Sequence, residues 1–329
     1  MNPPKIAAIL GVYGNPADRF MTRGYHKSAA SAVERIALVA KAGFIRGIEV
    51  TAGKDDDLNP QNIKDIQDAL QHHNLKLCAV NPNLWGEAEW WRGTLGAPDA
   101  QTRSLAADHI RSVMDLAAEL GCDYVGIWPG QDGFDYFFEV DYQKMYEWWV
   151  SGMQKCADHN PQIRLGLEFK PFEPRARSFL SNYTKTLLLL RDIDRPNVGL
   201  TFDVGHSLYA RDNLGEVVAL SQREGKLFHV HLNDNYADWD WDLNFGSVHF
   251  FDFIEMLYWL KRTGYQGWLS MDLFPYRTEG TDSVTESANW LLKLYELVNQ
   301  VDLTQWNELI AQSDPIAASR FLRRLMFGS

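Results

Sequence analysis

The sequence predicts a closed (β/α)8 barrel, and three observations carry that prediction. Short apolar runs alternate with amphipathic helical segments eight times in about 300 residues. The runs are almost continuously apolar, as in strands buried on both faces of a parallel sheet. The first strand-to-helix turn reads GVYGNP and lacks GxGxxG, so an open dinucleotide-binding sheet has no support at its diagnostic position. Eight units then favour closure over a doubly wound sheet.

The elements follow in order. A strand over 5–12 precedes a helix over 28–43 closed by Gly43, and a strand over 46–51 precedes a helix over 59–73. The third strand (75–81) leads through a Trp-rich loop to a helix over 102–121, and the fourth (122–128) to a helix over 142–159. The second half repeats the rhythm: 163–169 with 181–193, 197–203 with 214–225, 226–232 with 248–264, and 268–273 with 281–300. The barrel catalytic domain is expected over 1–300. Residues 301–329 read as a helical extension whose Phe321, Leu322, Leu325 and Met326 face the barrel or a neighbouring subunit.

Composition narrows the function. The chain of 329 residues carries 32 Lys and Arg against 43 Asp and Glu, a net charge of −11, which argues against nucleic-acid or anionic-membrane partners. Neither a membrane-length apolar run nor a basic leader is seen, so a cytoplasmic protein is expected. Cys78, Cys122 and Cys156 lie far apart and read as buried hydrophobes, not disulfides or thiolate ligands. The 12 Trp residues suit sugar faces as well as cores and subunit contacts.

Barrel active sites lie where the strands end, so ionisable residues there carry the argument. Strand five ends in Glu168 and Lys170, strand six in Asp203 and His206, strand seven in His229, His231 and Asp234, and strand eight in Asp272. Asp238, Asp240 and Asp242 alternate in the loop after strand seven. Buried carboxylates need cations, and Lys170 cannot neutralise so many. A divalent ion is the economical solution, and oxygen and nitrogen donors without thiolate suit Mn²⁺, Co²⁺, Zn²⁺ or Mg²⁺. His229 reads as a core or supporting residue. Trp85, Trp90 and Trp91, in the loop after strand three, read as sugar-stacking or lid residues; Arg23, His26, Arg92 and Arg177 remain as polar or carboxylate contacts.

The runs LEFKPFEPR (167–175), RPNVGLTFDVGHSLYA (195–210), GKLFHVHLND (225–234), DWDLNFG (240–246) and TGYQGWLSMDLFPYRTEG (263–280) resemble, in order, the C-terminal half of xylose isomerase. The chain is identified as a member of the xylose isomerase-like barrel superfamily, with thinner likeness at 55–60 and 116–133. The resemblance implies a first metal position of Glu168, Asp203, His231 and Asp272, and a second of His206, Asp240 and Asp242 that Asp203 could bridge. It implies that Lys170 hydrogen-bonds the substrate carbonyl and that Trp128 lines the pocket; Asn233 joins the expected sugar contacts. The Glu/Asp/His/Asp set looks more like rhamnose isomerase. Strand two lacks the His with which xylose isomerase opens the sugar ring, leaving that role unassigned. Ketose 3-epimerases carry Glu where this chain has Asp272.

The expected activity is aldose–ketose isomerisation of an unphosphorylated monosaccharide by hydride shift or enediol chemistry, with Lys170, Glu168 and Asp272 as the catalytic residues. Ketose 3-epimerase, keto-sugar or inosose dehydratase and decarboxylase are alternatives on the same scaffold. An abasic-site endonuclease and a non-catalytic sugar-binding protein stand further off. A homodimer or homotetramer is expected.

Overall fold

The computed structural model describes residues 3–18, 20–21, 24–25, 30–54 and 56–328. Its buried apolar strands are β1 (Lys5–Ile9), β2 (Gly47–Ala52), β3 (Lys76–Pro82), β4 (Tyr124–Ile127), β5 (Arg164–Glu168), β6 (Val198–Asp203), β7 (Leu227–Leu232) and β8 (Trp268–Met271). They close in the order β1-β8-β7-β6-β5-β4-β3-β2, with parallel pairing throughout. The register slips at two places, between Ile48 and Glu49 of β2 and between Leu200 and Thr201 of β6.

Eleven α-helices surround the barrel among the described residues: α1 (Ala32–Lys41), α2 (Ile63–His73), α3 (Ala100–Glu119), α4 (Tyr142–His159), α5 (Tyr183–Ile193), α6 (Val204–Ala210), α7 (Leu214–Arg223), α8 (Phe250–Thr263), α9 (Gly280–Asn299), α10 (Leu303–Ala311) and α11 (Pro315–Phe327). Their starts are chemically marked. Ser31 and Glu34 form a reciprocal capping box on α1, and Asp99, Asp141, Asn182 and Asn213 cap α3, α4, α5 and α7 through their side chains. The helices that flank the strands bury one stripe against them, as Ile110, Val113, Met114 and Ala117 do on α3.

Three details depart from the sequence expectation. The first strand stops at Ile9 because Leu10–Tyr13 winds into a 3-10 turn; burial, not extended backbone, keeps that run apolar. Helix α6 was hidden in the strand-six run, where Asp203 ends the strand and caps the helix at once. A two-stranded ribbon, Gly133–Phe134 against Arg177–Ser178, joins the loops after β4 and β5. Helices α10 and α11 pack on the outside, with Trp306 buried near Tyr258 and Phe321. Phe321, Leu322, Leu325 and Met326 pack partly buried against the core. No helix among the described residues is long and apolar enough to cross a membrane.

Candidate active site and metal centre

The ends of β5 to β8 bring their acids together. Glu168, Asp203, His231 and Asp272 each place one ligand atom within 4.8 Å of the others. His231 Nδ1 sits in their midst, 3.3 Å from Asp272 Oδ2, 3.5 Å from Glu168 Oε2 and 3.8 Å from Asp203 Oδ2. It is buried and makes no hydrogen bond.

A second set, Asp203, His206 and Asp240, adjoins the first and shares Asp203 with it. Local folding explains the sharing. The Asp203 carboxylate accepts from the backbone N–H of His206 at 2.8 Å as the cap of α6, which swings His206 onto the rim one turn later. His206 Nε2 lies 3.1 Å from Asp240 Oδ2, and its Nδ1 lies 3.2 Å from Glu168 Oε1. Lys170 Nζ contacts Asp240 at 2.7 Å and Glu173 at 2.6 Å. Asp242 stands beside this set rather than in it. Asn233 Nδ2 donates to both Asp203 oxygens and to Asp242 Oδ1, so Asn233 braces the acids, with its own Oδ1 left unbonded. Glu173 (φ 67) and Asp242 (φ 47) hold left-handed backbone that non-glycine residues adopt only at a cost.

Burial presses these acids toward neutrality, and the outcome differs by position. At Glu168 the charge of His231 and the contact from His206 outweigh burial and hold the carboxyl down at about 2. Asp203 is lifted to about 7 by burial, against the pull of His206 and with the push of Glu168, Asp240 and Asp272. Burial with the charges of Asp240 and Asp272 carries Asp242 well above the carboxylate range, and burial raises Asp272 despite His231. Burial opposes charge on His206, His231 and Lys170 too, yet the surrounding carboxylates keep all three protonated beyond their usual ranges. An unbonded imidazole nitrogen among carboxylate oxygens is a donor set that fits a divalent ion.

The expected tryptophans separate. Trp128 lies 5.2 Å from Lys170 Nζ and 5.2 Å from the Trp85 ring, forming one wall of the site. Trp90 turns inward, donating to the Asn83 carbonyl oxygen at 3.0 Å and stacking on His109. Trp91 is exposed with Arg92 over its ring. The loops that carry this wall are stapled by buried Asp132, which accepts from Thr94 N, Thr94 Oγ1, Gly96 N and Trp149 Nε1. Asp234 ties its own loop through Val248 N, His249 N and His249 Nδ1, while Asp238 is exposed and accepts from Trp241. Arg177 lines a neighbouring cavity of about 690 Å³ with Phe172, Lys185 and Tyr209. Arg23 and His26 lie outside the described residues. Cys78, Cys122 and Cys156 are free and buried.

Comparison with known proteins agrees with the fold. A family model described as xylose isomerase-like TIM barrel matches residues 36–294. The chain belongs to the xylose isomerase-like TIM barrel family. A xylose isomerase of Thermus thermophilus is 30% identical over 261 residues, 75% of this chain and 67% of that protein. Among solved structures, a D-tagatose 3-epimerase-like protein matches with TM-score 0.70 and 24% identity over 90% of this chain and 98% of that one. An L-ribulose 3-epimerase matches with TM-score 0.70 and 17% identity over 90% and 96% of the two chains. The chain is thus an enzyme of this family, with a xylose isomerase among its relatives and a fold shared with ketose 3-epimerase structures.

Sequence reasoning passed over one residue of this family member's site. Glu49, in the middle of β2, is fully buried and reaches His229 and His231 inside the barrel. The signal was present: a lone carboxylate in an apolar strand needs a buried partner, and the alternation of His229 and His231 puts both on one side of β7.

Proposed function

We propose that the protein is a divalent-metal-dependent isomerase that interconverts an aldose and a ketose, acting on an unphosphorylated monosaccharide. The observation that carries this reading is the pair of acid–imidazole sets sharing Asp203, with Lys170 held on Asp240 at their edge. Glu168, Asp203, His231 and Asp272 would hold one ion, and His206, Asp240 and Asp203 a second, with Asp242 beside it; Mn²⁺ is the first candidate. A bound ion supplies Lewis acidity toward two neighbouring oxygens of the open-chain sugar.

The chain's own groups do the rest. Lys170, fixed by Glu173 and Asp240, donates a hydrogen bond to the carbonyl oxygen as negative charge gathers there. Trp128 and Trp85 cover one face of the sugar and keep water from it. Hydrogen then moves between C2 and C1. It moves as hydride, or as a proton taken by Glu168 through an enediol.

Incubation of ketoses and aldoses with the Mn²⁺-loaded protein, read by NMR, should give the isomeric sugar, and exhaustive chelation should abolish turnover until Mn²⁺ or Co²⁺ returns. Turnover that persists without metal ends the reading. In heavy water the hydride route leaves the product's carbon-bound positions unlabelled; stoichiometric deuterium would instead assign Glu168 as a base. A second reading, ketose 3-epimerisation, draws on the near-full-length likeness to the two epimerase structures. Asp272 tells against it, because the resemblance puts a Glu, one methylene longer, at this position in ketose 3-epimerases. A ketose product inverted at C3 would select it.

A further inference from the structure

His231 offers two nitrogens to two different groups of acids. Nδ1 faces Glu168, Asp203 and Asp272, whereas Nε2 lies 3.2 Å from Glu49 Oε2. The same geometry admits two uses of Glu49. Together with His229 and His231 it could be a third ion site, since their ligand atoms also lie within 4.8 Å of one another. Alternatively it orients His231.

Distances decide between them. Glu49 Oε1 is 2.7 Å from His229 Nε2, so each carboxylate oxygen is already engaged by an imidazole nitrogen at hydrogen-bonding range. A nitrogen that gives its proton to a carboxylate has no lone pair left for an ion, so these two pairings take His229 Nε2 and His231 Nε2 out of use as ligands. The unbonded atom is on the other side of the ring, at Nδ1. Glu49 is also braced against rotation. Asn81 Nδ2 approaches Oε2 at 3.4 Å, His229 lies against the Tyr124 ring with centroids 5.0 Å apart, and Tyr124 Oη pairs with Thr201 Oγ1 at 2.6 Å. Glycine at 166 leaves room for that last pair, since a Cβ there would collide with Tyr124 Oη. Both register slips serve the arrangement: one falls at Glu49, and the other falls beside His229 on the paired strand.

We propose that Glu49 is a positioning residue that accepts the Nε2–H of His231 and thereby fixes Nδ1 as the metal-ligating atom, with His229 holding the second carboxylate oxygen. The inference rests on the metal reading above and adds to it a residue that touches neither ion nor substrate. A carboxylate behind a ligating imidazole sets its tautomer and raises its basicity, and losing one typically weakens metal binding about 10- to 100-fold.

Two measurements test it without recourse to turnover. Titration with Mn²⁺, followed by the EPR signal of the free ion, should show E49Q binding about 10- to 100-fold more weakly than wild type. The glutamine amide presents an N–H to one imidazole, which must then carry its proton on the wrong nitrogen. Nitrogen-15 NMR of histidine-labelled, Zn²⁺-loaded wild type should place the His231 proton on Nε2 and the metal on Nδ1, and this requires no variant to fold. E49Q affinity within twofold of wild type, or metal on Nε2, overturns the inference. Wild type that takes up no Mn²⁺ is a separate result: it overturns the metal reading, and this inference falls with it.

Discussion

The two halves of the barrel contribute differently to one rim. Strands β5 to β8 and the loop after β7 supply every acid and imidazole of the two candidate ion sets; all but Asp240, which the loop carries, lie at or just beyond the strand ends. Strands β1 to β4 supply a wall, Trp85 and Trp128, from just beyond β3 and β4, and reach the charged half from inside through Glu49. The contrast shows two ways of placing a side chain. A short acid needs a closely fixed backbone position; a large ring reaches the site from just beyond its strand so long as the following loop is tied down.

That division can be broken most severely at Asp203, which both sets share. Asp203→Asn keeps the cap on α6, because asparagine caps as well as aspartate, so the fold should survive by circular dichroism. Metal content should fall and turnover should drop by about 10³-fold or more even at high Mn²⁺. A variant that keeps its metal and its activity would show that the sets do not act through their common acid. On the other half, Trp85→Ala should raise KM about tenfold while kcat and metal content change little, since only ring contact is lost. Loss of metal in that variant would erase the distinction between wall and ligands.

The smallest effect concerns a carboxylate of the charged half that belongs to neither set. Asp212, between α6 and α7, has its carboxyl pushed up to about 6 by burial, and its Oδ2 makes no hydrogen bond. Its folded-state value lies above the unfolded 3.8, so it favours folding below about pH 4 and loses that contribution as pH rises through 6. Asp212→Asn should therefore gain about 1 kcal/mol at pH 7, allowing for solvent screening of a partly exposed group, and the gain should vanish near pH 4 in denaturant titrations. A gain independent of pH would point to packing instead.

The same contrast governs what the sequence revealed. The eight strands and most helices were legible because apolar periodicity and polar caps are local signals, and helix α4 matches its expected span of 142–159. The carboxylates at the ends of β5 to β8 were legible because strand position alone places them. Glu49 was not: its partner sits 180 residues away across the barrel, and a strand-interior glutamate looks like any other strand residue until the barrel closes. Helix α6 stayed hidden because Asp203 serves as strand end, cap and candidate ligand together. The three tryptophans of the β3 loop looked equivalent in sequence; only packing sends Trp90 inward, Trp91 outward and Trp85 to the site.

The staple at Asp132 has a consequence for any redesign of sugar preference. Its acceptors bind the β3 loop at Thr94 and Gly96 and anchor to α4 at Trp149, so the segments bearing Trp85 and Trp128 form one inheritable cassette. Transplanting either loop alone would leave a buried carboxylate or buried donors unanswered. Specificity in this scaffold is exchanged by the pair, together with the helix that carries Trp149.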